Sequence, residues 1–444
     1  MKRLIALFLA AFMLFSMAAC AQKQTAPTEQ AQTTETAETT ETTESADEAS
    51  QEQTPAAASE ITYVTLGDTG MELLQQAAAE FEAEYGVKVN LESWAYSDAY
   101  SKILTLAEGG NMPDAMYGFS SWTVEFKEAG YIACAEDYIS KDLYNDFSEA
   151  SRGVCTVDGK LWTIPSYMSV RSLIVNKNAF EQAGLALPTT WEEMVADAPA
   201  LCNGVCNYAY TLVAGHTKNT DDCFLPILWA YGADLLNENY TACAFNTPEG
   251  VAALQTYCDL AQYSVPDYGE ATINETQTNF TTQNAAAYIH NGQGIAALKD
   301  AGEDYSWCEI VAPLAGPTGE AYALGVMDID LMFKTGNEEI TGKWIEFWHQ
   351  AKYQGEVVNQ AGWVPNQASY KEEIAAFSDP ENMLVAPFVE YEPQAKFKPS
   401  IICWSEFEKI FSDYITKAVF GQMTPAEAFA AAETDCNALL AAQN

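Results

Sequence analysis

From residue 60 onward the chain alternates between short apolar runs and stretches whose apolar residues recur every three or four positions. Residues 60–67 (EITYVTLG) read as a strand. Asp68 and Thr69 can cap the helix that follows, where Leu73, Leu74, Ala77, Ala78, Phe81 and Tyr85 form one stripe and Gly86 is the stop. A second strand over 87–94 and a second amphipathic helix over 96–108 lead through a Gly-Gly-Asn-Met-Pro-Asp turn to a third strand at 115–118. This β-α-β-α-β series demands right-handed crossovers and a parallel sheet.

A second α/β unit follows, with a strand at 208–213, a helical layer opening at 224–232 and an amphipathic helix over 247–262. Strands at 307–313 and 322–333 precede closing helices that begin at 338 and at 404. Trp191 and Trp344 stand at helical spacing among apolar residues and belong to the core.

The stretch 164–194 organises this pattern. Pro165 opens an extended segment, 171–176 is an apolar β-type run, and 178–183 is a short helix closed by Gly184. Thr190 and Glu193 are spaced as a capping box for a longer helix. The order strand, "NKNAF", "GLALPTTWEE" strongly resembles the first crossover between lobes in extracellular solute-binding proteins of ABC importers, the carbohydrate type above all. The Gly-x-x-Pro-Asp ending at Asp114, the run 280–290, Gly362-Trp363-Val364-Pro365 and the ending from Gly421 to Ala428 extend the resemblance from about residue 60 to the C-terminus.

The resemblance implies an α/β fold of two lobes, each a mostly parallel sheet flanked by helices. Hinge crossovers fall near 167–171, 289–292 and 332–336. Residues 60–168 with 291–334 form the first lobe, and 169–290 with 335–444 the second. Ligands in such folds sit at the carboxyl ends of the strands, facing a cleft.

The front end adds an address. Lys2 and Arg3, the apolar run 4–16 and Met17-Ala18-Ala19-Cys20 make a signal peptide that resembles a lipobox, with Cys20 as the lipidated residue. An ordinary secretory signal is the other reading. Residues 21–59, rich in Thr, Glu, Gln and Ala, bury too little to offset ordering entropy and form a disordered tether.

A net charge of −41 argues against nucleic acid and against docking on anionic lipid through a basic face. Ten cysteines follow Cys20, without a C-x-x-C pair, and they fit either disulfides or buried thiols; Cys202 and Cys206 are the nearest local pair. No metal site and no cofactor is expected.

The catalytic fingerprints are absent: no G-x-S-x-G, H-E-x-x-H, P-loop or dinucleotide motif. His216, His290 and His349 are far apart, and with 62 acidic residues a carboxylate pair can always be nominated. An enzyme is not expected. Sugar rings stack their C–H faces on aromatics while a few fixed polar groups take the hydroxyls. The candidates in the first lobe are Asp68, Trp94, Tyr117 and Trp122, with Tyr167 and Arg171 on the first crossover. From the rest come Asp222, Trp229, Gln293, Trp363 and Trp404. The resemblance places Asp68 at an acidic sugar contact and Gln293 where many relatives carry a stacking Trp. Each candidate has a plainer role, such as sheet edge for Trp94 and Tyr117, core for Trp229, ion pair for Arg171 and N-cap for Asp68. Trp363 and Trp404 suit a pocket wall best.

The expected function is a monomeric, lipid-anchored receptor on the outer face of a bacterial membrane, handing a sugar or oligosaccharide to the permease subunits of an importer. A receptor for polyamine, peptide or another organic solute is the alternative in the same fold. A surface carbohydrate-active enzyme or adhesin is the alternative outside it.

Overall fold

The computed structural model describes residues 58–215, 220–266, 268–271 and 273–443. Residues 1–57, with the expected signal peptide, Cys20 and most of the tether, lie outside that range, as does His216.

Among the described residues ten strands form in chain order: β1 (Glu60–Leu66), β2 (Lys88–Trp94), β3 (Ala115–Phe119), β4 (Thr156–Val157), β5 (Lys160–Leu161), β6 (Ile164–Asn176), β7 (Ala287–His290), β8 (Cys308–Ile310), β9 (Ala323–Met332) and β10 (Ala395–Phe397). β1 pairs in parallel with β2 and with β3, as the alternating pattern requires. The helix Met71–Tyr85 covers them with Leu74, Ala77, Ala78 and Phe81, and Gly86 ends it in the left-handed conformation.

β9 enters this sheet antiparallel, between β3 and β6, and β10 joins it in parallel. β6 is the long member. Its residues Ile164–Arg171 pair with β9, and Ser172–Asn176 pair with β7 and β8. Thirteen residues of strand reach about 43 Å, enough to serve two sheets in turn. The register shifts between Pro165 and Tyr167, at the residue that has no N–H to give to the ladder.

The chain after β6 folds from local signals. Asn176 accepts from the Ala179 N–H to cap the helix Lys177–Ala183, which Gly184 closes. The capping box of Thr190 and Glu193 starts the helix Trp191–Leu201. In the second lobe the ladders on β6 are antiparallel, and parallel pairing comes from the extended stretch beside β7, through Tyr208 N–H to Asn284 O and Thr211 N–H to Ala287 O. That stretch is where a full strand was expected; it makes only isolated bridges. Trp191, Phe224, Trp229, Phe245, Phe411 and Phe429 fill the core of this lobe.

Two elements pack on the other sheet from the one expected for them. The helix Glu338–Trp348 packs on the first sheet, with Trp344 5.5 Å from Phe81 and 5.8 Å from Tyr63, although 335–444 was assigned to the second lobe. Conversely β8, assigned to the first lobe, pairs with the distal half of β6. An amphipathic stripe specifies that a face is buried and leaves open which sheet buries it. The crossover expected near 332–336 lies inside the first lobe, since Met332 already pairs with Ala115 and Asn337 donates to Asp114. Among the described residues, no helix is long and apolar enough to cross a membrane.

Candidate functional site

The carboxyl ends of β1, β2 and β3 converge beside the place where β6 and β9 run together. Gly67 donates its N–H to Trp94 O, and its positive φ of 65° brings the chain under Tyr96, whose ring lies 3.0 Å from where a Cβ would stand. Tyr96 begins a row of rings. It meets Tyr117 at 6.4 Å, edge to face, and Phe119 at 6.2 Å. Tyr117 lies 5.5 Å from Tyr167 on β6, and Tyr167 lies 4.6 Å from Trp363. Gly362, left-handed at the end of the helix Glu356–Ala361, aims Trp363 at the row, and the Val364 N–H bonded to Met168 O fastens this loop to β6.

Tyr96 is 44% exposed. Even so, protein surrounds its phenol, and desolvation followed by the nearby Asp328 carboxyl pushes it up to about 12.

Polar groups line the same crossing. Tyr117 donates its hydroxyl to Asp328 Oδ2 at 2.7 Å. Asp328 Oδ1 is buried and has no hydrogen-bond partner among the described residues. Burial raises this carboxyl to about 7, against the opposing pull of the Tyr117 bond and the Arg171 charge. Arg171, beside Leu324 in the β6–β9 ladder, donates from Nη1 to Asp222 Oδ2 at 2.6 Å, while its Nε is buried without a partner among the described residues.

Lys398 anchors that pair, with Nζ 2.5 Å from Asp222 Oδ1, 2.6 Å from Asp221 Oδ2 and 3.0 Å from Glu408 Oε1. Burial alone would lower the Lys398 amine; the three carboxylates outweigh it and hold the ammonium well above its usual range. Asp221 is also raised, in its case by its own burial, against the opposing pull of the Lys398 charge. On β7, burial and then the Arg171 charge lower His290 to about 4, so it is neutral at pH 7.

Of the residues singled out in the sequence, the crossing gathers Tyr117, Tyr167, Arg171, Asp222 and Trp363. The others lie elsewhere. Asp68 is exposed at the end of β1 and accepts from Ser93 Oγ at 2.9 Å. Trp94 is buried, its N–H on Glu92 and its face under the Lys102 ammonium at 3.7 Å. Trp122 packs in the first core between Tyr100 and Phe126. Trp229 is core, as its apolar helix allowed, with its N–H on Asp234. Gln293 starts a helix, half-buried, its N–H on Asn291 Oδ1. Trp404 is only 4% exposed and stacks on Phe407 within the second core.

Sequence reasoning missed Tyr96, Phe119, Asp328 and Lys398. One signal was available: in the run VMDIDLM, two carboxylates recur at period two in an otherwise apolar strand, a pattern that places both on one face. Two surface cavities, of about 640 Å³ beside His349 and Gln367 and about 600 Å³ beside Lys299 and Asn382, contain none of the aromatic row.

Buried aromatic faces beside an unpartnered acceptor and an unpartnered donor suit a ligand with an apolar ring face and hydroxyls at its edge. Known proteins point in a compatible direction. A profile of bacterial extracellular solute-binding proteins matches residues 67–379. A binding protein of Brucella abortus is 26% identical over 377 residues, covering 82% of this chain and 89% of its own. The diacetylchitobiose-binding protein of Streptomyces coelicolor is 21% identical, covering 82% and 86%. Among solved structures, an ABC transporter solute-binding protein of Thermotoga lettingae bound to α-D-tagatose superposes with a TM-score of 0.74 at 22% identity, over 86% of this chain and 100% of the other.

Proposed function

The chain belongs to the bacterial extracellular solute-binding protein family, and from that premise we propose that it captures a sugar or oligosaccharide at the β6–β9 crossing and passes it to the permease of an ABC importer. The observation that carries the ligand class is the row Tyr96–Tyr117–Tyr167–Trp363 flanked by Asp328 Oδ1 and Arg171 Nε, both buried and unpartnered. A pyranose or furanose lays its C–H face on the rings, donates one hydroxyl to Asp328 and accepts from Arg171. Relatives that bind α-D-tagatose and diacetylchitobiose support this chemistry. Cys20 carries the lipid, residues 21–59 are the tether, and the protein works as a monomer on the outer face of the membrane.

Three of the acidic residues, Asp221, Asp222 and Glu408, are already engaged by Lys398 and Arg171, which leaves Asp328, among the described residues, as the one carboxyl of the crossing open to a ligand hydroxyl. The test is a thermal-shift panel of mono- and oligosaccharides, polyamines and short peptides on the purified protein, since a ligand that binds only the native state raises its melting temperature. A sugar that shifts the melt, with no product formed on prolonged incubation, is the expected result. A shift with polyamine or peptide alone replaces the ligand class, and turnover of a glycoside replaces the function.

A further inference from the structure

All ten cysteines in the described residues are free thiols, six of them buried. One pair lies far apart in sequence and together in space. The Cys243 backbone N–H donates to Asn437 Oδ1 at 2.8 Å, and three residues on, Asn246 Nδ2 donates to Glu433 Oε2 at 2.7 Å. These two bonds lay the loop that carries Cys243 along the helix Pro425–Gln443, so that it faces the turn carrying Cys436. Asn437, which accepts the Cys243 bond, is the residue next to Cys436, so the Cys243 loop lies against the turn that holds the second thiol. Cys436 is fully buried in the second core, and Cys243 is half-buried at its edge. Among the described residues no three cysteine, histidine or acidic side chains form a metal-binding group, so a metal centre does not explain the pair.

We infer that Cys243 and Cys436 are a dithiol that closes to a disulfide, fastening the C-terminal helix to the second lobe. The oxidant is a low-molecular-weight or protein disulfide, the class encountered outside the cytoplasm. Cys243, the accessible member, loses its proton to solvent and attacks that disulfide, forming a mixed disulfide and releasing one thiol. Cys436 then loses its proton and attacks the Cys243 sulfur, displacing the second thiol. Two protein thiols and one external disulfide become one protein disulfide and two external thiols. The buried sulfur acts second because its proton is held by its Cys243 neighbour and by burial. The bond ties residues almost two hundred positions apart, and closing so long a loop restricts the unfolded chain strongly.

The test treats the full protein with oxidised glutathione, blocks remaining thiols with iodoacetamide, and maps peptides by mass spectrometry without reduction. A linked peptide containing Cys243 and Cys436, lost on reduction, is expected. Recovery of both residues alkylated after oxidation overturns the inference, as does a linkage of either to another cysteine. A second measurement needs no mapping. Oxidation should raise the melting temperature of the wild type by about 5 °C, and should leave Cys243→Ser unmoved, since the Asn437 bond uses the backbone and survives. Equal shifts in both proteins also overturn it.

Discussion

Asp328 and Asp330 stand two residues apart on β9, on the same face of one strand, and their surroundings differ in one decisive respect. Asp330 is fully buried and satisfied: Tyr63 donates to Oδ1 at 2.6 Å, and His349 Nε2 lies 2.9 Å from Oδ2. Asp328 has one oxygen on Tyr117 and the other buried with no partner. A satisfied carboxylate is part of the architecture. One left half-satisfied costs on the order of 1–3 kcal/mol in the empty protein, and a ligand hydroxyl is the natural group to recover it. The tryptophans differ in their neighbours, with Trp404 stacked on Phe407 in the second core and Trp363, likewise buried, closing the aromatic row at the crossing. The packed interior should therefore respond to mutation in stability, and the crossing in affinity.

The largest expected effect is on the packed side. Trp404→Ala should cost about 3–5 kcal/mol of stability in urea titration, with little change in affinity for the best sugar of the panel. A tenfold loss of affinity with an unchanged melt would move Trp404 to the binding side. Asp330→Ala leaves the Tyr63 hydroxyl and the His349 ring without their buried partner, and should cost about 3 kcal/mol by the same measurement. A cost below that of Asp328→Ala would erase the distinction between the two carboxylates.

Trp363→Ala should lower sugar affinity by about 1–3 kcal/mol, roughly tenfold to a hundredfold by calorimetry. Trp363→Phe should retain most of the affinity, because a smaller ring still offers a face. Trp363 is only 7% exposed, so some loss of stability accompanies the truncation. The affinity difference between Ala and Phe at this position is the sharper readout.

The pH dependence follows from the raised carboxyl. In the fold Asp328 holds its proton up to about pH 7, whereas an unfolded aspartate releases it near 4. Between those values the native state binds more protons, so this group's contribution to stability is full below about 4 and is lost as pH rises through 7. His290, lowered from 6.5 to about 4, contributes in the opposite sense: its stability is present above 6.5 and is lost as pH falls towards 4. The comparison that isolates Asp328 is wild type against Asp328→Asn. The two should melt alike near pH 4, and the variant should melt progressively higher than wild type up to about pH 7, beyond which the difference holds. A constant difference across that range would mean that Asp328 is not the buried titrating group.

What the sequence made legible was local. The Thr190–Glu193 capping box and the Gly184 stop involve residues within a few positions of one another, and each forms as its spacing required. The first three strands and their helices follow from stripes equally short in range. The site draws on distant parts of the chain. Tyr117 and Asp328 are 211 residues apart, and Lys398 reaches Asp221 and Asp222 from a segment that no periodic pattern marks. Arg171 and Tyr167 were found because they lie on the crossover itself. Trp404 was assigned to a pocket wall because a helix start next to Ser405 suits a pocket wall and a core equally; its ring stacks on Phe407 in the second core. The smallest expected effect belongs to Asp68, which is exposed at the end of β1: Asp68→Ala should change stability by no more than about 0.5 kcal/mol.

The central claim is that the free oxygen of Asp328 is reserved for the ligand, and its most direct test is calorimetric titration of Asp328→Asn beside the wild type at pH 8, with the melting temperature of each empty protein. Replacing the carboxylate by an amide exchanges a charge-assisted hydrogen bond for a neutral one. The expected result is an affinity about tenfold weaker in a variant whose empty form is as stable as the wild type or more so. Unchanged affinity in that equally stable variant would contradict the claim and remove the ligand from the crossing.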